Sequence, residues 1–127
     1  MHVGSKGQTA MSESLGHLER LPEITHRILA ASDPEKIILF GSYARGDFGP
    51  DSDLDLLVII EGVDAPRAES VHLRRSLRGL LVPVDIVVAT PEQVERHRNT
   101  IGLIYRSALE EGTVLYERPT ASPIRSR

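Results

Sequence analysis

Cysteine is absent from the 127 residues, which excludes a disulfide framework, thiolate zinc sites and thiol nucleophiles. Tryptophan is absent too, and aromatic residues make up only 4%, so a core has to be built from aliphatic side chains. No apolar run approaches the roughly 18 residues that span a bilayer. The N-terminus lacks the charged start and apolar segment of a signal peptide. A cytoplasmic protein with no part in a membrane is the expectation. Excess positive charge is also missing: the net charge is −3, which argues against broad nucleic-acid binding.

What is present suits one globular domain, with 40% apolar and 26% charged residues. Residues 1–12 are small and polar and are expected to be disordered. A helix is expected from about Leu15 to Ser32, with Pro22 in its main first turn and Leu21, Ile24, Ile28 and Ala31 on one face. Residues 36–41 form a short apolar strand. Residues 53–61 form a second strand whose continuous apolar run predicts burial on both faces. A helix over 67–81, with Ala68, Val71, Leu77 and Leu80 toward the core, leads to a strand over 82–90. Helices over 91–98 and 100–111, with a stop at Gly112, precede a last strand over 113–117. Residues 118–127 read as a disordered basic tail, too short for an added domain. The domain proper is expected over 13–117. This order predicts an α/β (α+β) domain, a small sheet covered by helices.

The stretch "LFGSYARGDFGPDSDLDLL", residues 39–57, carries the chemistry. A phosphate-binding P-loop needs lysine where Asp47 stands. A calcium loop starting at Asp51 needs Gly and Glu where Leu56 and Gly62 stand. A dinucleotide fingerprint is missing. Residues two apart on a strand share a side, so Asp53 and Asp55 present two carboxylates together. Such a pair must protonate, stay wet or hold a cation. Hard oxygen donors at a strand edge suit Mg²⁺. Asp85 stands alone in the apolar run "PVDIVV", where a charge is costly unless paired or liganded. If its strand lies beside 53–61, three carboxylates can hold two metal ions, as in two-metal phosphoryl chemistry. Gly41 and Ser42 end a strand and open a turn whose N–H groups can meet phosphate. Arg45 can help neutralise that phosphate, or can pair with Asp47 or Asp51.

Gly-Ser followed, after residues 43–52, by Asp-x-Asp, and then by the isolated aspartate of "VDIVV", resembles the DNA polymerase β-like nucleotidyltransferase superfamily. Within it, "GSYARGDFGPDSDLDLLV" is similar to the minimal nucleotidyltransferases. The resemblance covers about residues 22–117. It implies a small mixed sheet flanked by helices, an NTP such as ATP with two Mg²⁺ ions, and transfer of a nucleoside monophosphate to an acceptor. Gly41, Ser42 and Arg45 would bind the nucleotide. Asp53, Asp55 and Asp85 would be the catalytic, metal-holding residues, with Asp85 also activating the acceptor hydroxyl. Many stand-alone members look like antitoxins that AMPylate a tyrosine of a HEPN toxin partner, and that is the function expected here. A non-catalytic antitoxin that acts by binding and an enzyme acting on a small molecule such as an antibiotic are the alternatives. The arginines of residues 67–78 read as a solvated face, and the histidines as surface residues.

Overall fold

A computed structural model describes residues 5–100 and 102–119, with side chains from residue 12 onward. The elements in chain order are α1 (Ser5–Glu19), α2 (Leu21–Ala31), β1 (Lys36–Phe40), α3 (Ser42–Arg45), β2 (Leu54–Ile59), α4 (Pro66–Ser76), β3 (Val84–Ala89), α5 (Pro91–His97), α6 (Ile104–Glu111) and β4 (Thr113–Glu117). The strands form one sheet in the order β3-β2-β1-β4. β1 runs antiparallel to both β2 and β4, whereas β2 and β3 are parallel. Parallel neighbours need a crossover, and α4 supplies it. This is the mixed sheet flanked by helices that the sequence predicts.

The continuous apolar run explains why the sheet is covered twice. Leu56 to Ile60 are each at most 7% exposed. Alternate side chains leave opposite faces of a strand. Leu54, Leu56 and Val58 therefore pack with Ile37, Leu39, Ile86 and Val88 against Ile24 and Ile28 of α2 and Leu73 of α4. Leu57 and Ile59 turn the other way, with Ile38, Phe40 and Ala89, onto Val94 of α5 and Ala108 of α6. The helix ends are closed locally. Thr90 caps α5 by accepting from the Gln93 N–H at 3.1 Å, and the Gln93 side chain accepts from the Thr90 N–H at 3.0 Å. These paired bonds satisfy N–H groups that a helix start leaves open.

Several boundaries depart from the sequence expectations. Residues 5–12 belong to α1 rather than to a disordered segment; residues 1–4 lie outside the described residues. The helix expected to run from Leu15 to Ser32 is two helices meeting at Arg20. α1 is anchored by Leu18, which packs against the core, and by polar contacts: Tyr43 donates its hydroxyl to the Ser14 backbone O at 3.1 Å and lies 3.3 Å from His17 Nδ1. On α4 the buried positions are Ser70 and Leu73, while Ala68 and Val71 face solvent. Ser70 is tolerated inside because its hydroxyl donates to Arg67 O at 2.7 Å. α6 starts at Ile104, after a turn in which Thr100 N–H donates to His97 O at 3.0 Å; Ile101 lies outside the described residues. Gly112 closes α6 with extended backbone, not a left-handed one. Glycine is needed there for space, since a Cβ would run into Ala108 O and Ile38. Arg118, the first residue of the expected tail, is held by backbone and side-chain bonds to Glu35 and Asp33; residues 120–127 lie outside the described residues.

Candidate active site

The site stands where β1 ends and β2 and β3 begin. The register sets Phe40 of β1 opposite Asp55 of β2, and Asp55 beside Asp85 of β3. Register partners project to the same side of a sheet. The two carboxylates therefore share the face that carries Leu57 and Ile59 further along. The alternation that buries Leu54, Leu56 and Val58 on the other face is what presents Asp55 here. Asp53 lies one residue before β2, not within it, and is exposed.

Gly41 lines the other side of Asp55. Its backbone has φ of 78°, a region that L side chains rarely adopt. A Cβ there would collide with Asp55 Oδ2. Glycine at 41 thus allows the chain to turn into α3 while pressed against the carboxylate. Ser42 opens α3, and Gly41 O accepts from the Ala44 and Arg45 N–H groups at 3.1 and 3.0 Å. The buried Tyr43 ring stacks on Phe48, with centroids 4.4 Å apart, and pins α3 and the following loop to the core.

The charges are crowded. Burial pushes the Asp55 carboxyl above its usual range, the negative charges of Asp85 and Asp53 push it further, and the Arg45 guanidinium draws it back. Arg45 itself pairs with Asp47, Nε to Oδ2, at 3.2 Å. Asp85 accepts from Arg74 Nη2 of α4 at 3.5 Å. Sequence reasoning assigned Arg74 to a solvated face. Its contact with Asp85 arises from the way α4 lies beside β3, where the sequence offers no spacing rule. The structure thus gathers Asp55, Asp85, Asp53, Gly41 and Arg45 around one end of the sheet, with Ser42 next to Gly41.

Residues 18–115 match the nucleotidyltransferase domain family. The chain belongs to that family. As a nucleotidyltransferase it is similar to "Putative protein adenylyltransferase MJ0604" of Methanocaldococcus jannaschii, with 38% identity over 82 residues that cover 65% of this chain and 78% of the relative. A shorter match, 52% identical over 27 residues, joins 21% of the chain to 27% of "Putative protein adenylyltransferase MJ0141" from the same organism. Among solved structures, the fold is shared with a protein titled as a putative nucleotidyltransferase from Sulfolobus solfataricus. The TM-score is 0.61 at 23% identity, covering 88% of this chain and 90% of that one.

Among the described residues of this nucleotidyltransferase, no three acidic or histidine side chains stand close enough to form a metal site on their own. The donor set nevertheless fits a hard divalent cation. Asp55 and Asp85 are register partners, and Asp55 feels the negative charge of both Asp85 and Asp53. Mg²⁺ usually binds through one or two carboxylates, with substrate phosphates and water completing its shell. No helix among the described residues is long and apolar enough to cross a membrane.

Proposed function

We propose that this nucleotidyltransferase moves AMP from ATP to a tyrosine hydroxyl of a HEPN-type toxin and thereby acts as its antitoxin, in the cytoplasm and with Mg²⁺. The observation that carries the reading is the register that sets Asp85 beside Asp55, next to a Gly41 turn that admits no side chain. The similarity to proteins named as protein adenylyltransferases supports AMP as the group and a protein as the acceptor.

Asp53, Asp55 and Asp85 would hold two Mg²⁺ ions, which when bound would stabilise the negative charge on the attacking and leaving oxygens. Gly41 and Ser42 bind the triphosphate, Gly41 through close backbone approach and Ser42 through its hydroxyl. Arg45 on α3 offsets the phosphate charge. Asp85, exposed at the edge of the acidic row, takes the proton of the incoming hydroxyl. The oxygen then bonds to the α-phosphorus, the bond to the β-phosphate oxygen breaks, and pyrophosphate leaves.

The test uses the purified protein, ATP labelled at the α-phosphate, Mg²⁺ and the product of the adjacent gene. Label on a tyrosine of that product, lost with Asp53→Ala together with neutralisation, is the expected result. Absence of label, with Asp53→Ala neutralising as well as wild type, would defeat the proposal in favour of a non-catalytic antitoxin that acts by binding alone.

A further inference from the structure

Arg67, Arg74, Arg75 and Arg78, on α4 and just past its end, are exposed. Arg74 is distinguished by its partner: its guanidinium reaches Asp85 Oδ1 at 3.5 Å, with the two side chains 51% and 54% exposed. An exposed pair of this kind adds little to stability, so stability gives no reason to aim a cation at this aspartate. The location does. Asp85 stands in register with Asp55. Arg45, the other arginine near the row, is bonded to Asp47 instead. A guanidinium keeps its charge at every working pH, and it repels a divalent ion drawn to the same carboxylate.

We propose that Arg74 is an electrostatic latch on the acidic row: it competes with the divalent cation for Asp85 and gives Asp85 up when that cation binds. It thereby sets the cation concentration at which the site loads. Arg74 is a positioning residue, acting on the reaction through Asp85. The proposal rests on the cation-binding role given to the acidic row above.

Mn²⁺ alone serves as the probe, with affinity read by calorimetry or by electron paramagnetic resonance of the free ion. Arg74→Gln is expected to bind Mn²⁺ roughly three- to fivefold more tightly than wild type at low salt, the upper part of the range of an exposed charge pair. The difference should close at about 1 M salt, where the screening length is about 3 Å. Arg74→Lys, which keeps the charge, should stay within about twofold of wild type. A merely structural arginine would give neither the tighter binding nor the salt dependence. Mn²⁺ binding that Asp55→Asn abolishes but Arg74→Gln leaves unchanged or weakens would overturn the latch alone. A wild-type protein that binds no Mn²⁺, with or without ATP, would overturn the cation site and the latch together.

Discussion

The two ends of the sheet treat charge in opposite ways. At the end where β1 starts and β2, β3 and β4 finish, unlike charges meet. Lys36 lies 3.6 Å from Glu117. Arg118 donates to Asp33 O at 2.8 Å and lies 3.3 Å from Asp33 Oδ1 and 4.0 Å from Glu61. At the other end, like charges crowd together: Asp55 faces Asp85 across the ladder with Asp53 close by, only partly offset by Arg74 on Asp85 and by Arg45. Burial together with the Asp85 and Asp53 charges makes Asp55 harder to ionise. The strands between are continuous and apolar, so one fold supports both arrangements. A sheet selected for stability alone would end as the first does. The second arrangement sets like charges side by side, the local conflict expected of a functional site, and it is where the proposed function places the cation.

Substitutions at the acidic end should separate activity from stability most widely. Asp53→Asn and Asp85→Asn should each lower nucleotide transfer about 100-fold or more, a loss comparable to removing a catalytic acid–base group, while thermal melting stays near wild type. Gly41→Ala should damage both properties. The φ of 78° and the collision with Asp55 predict a cost of about 1–3 kcal/mol, read by denaturant melting, together with a loss of transfer. At the opposite end, Arg118→Ala should cost roughly 1 kcal/mol through its lost hydrogen bonds and partly screened ion pairs, with transfer unchanged. Equal loss of transfer from Arg118→Ala and Asp85→Asn would erase the contrast between the two ends.

Acidity should move the two properties of the acidic end in opposite directions. The Asp55 carboxyl is raised in the folded chain, chiefly by burial and then by Asp85 and Asp53. The folded state therefore takes up this proton more readily than the unfolded chain. The contribution of this group to stability is fully present below the ordinary aspartate range and is lost as pH rises through its raised value. Transfer as proposed needs the ionised form, which a bound cation favours, so at limiting Mg²⁺ it should fall on acidification at a higher pH than at saturating Mg²⁺. A pH–rate profile set beside a melting series reads both, and Asp55→Asn should remove this component from the melting series.

Most of the sheet was legible in the sequence because apolar runs bounded by Gly, Pro and Asp leave few alternatives to strands. The closeness of Asp55 and Asp85 was legible for a related reason: a lone carboxylate inside such a run has to find a use. What stayed hidden depends on how elements lie against one another. The inward face of α4 includes Ser70, whose hydroxyl is satisfied within its own helix, so hydrophobicity pointed to Val71 instead. α1 is held in part by the Tyr43 hydroxyl, which donates to the Ser14 backbone O and lies beside His17, contacts that no apolar stripe announces. Arg74 reaches Asp85 only because α4 packs beside β3. Asp53 was expected inside β2 but precedes it, the kind of one-residue shift that local patterns leave open.

The most direct test is a paired measurement on Asp55→Asn, comparing labelled-AMP transfer and melting temperature with those of wild type. The predicted result is transfer lost while the melting temperature holds or rises, because a crowded negative charge has been removed. Transfer retained with a lowered melting temperature would contradict the account, since Asp55 would then be part of the scaffold and not of the chemistry.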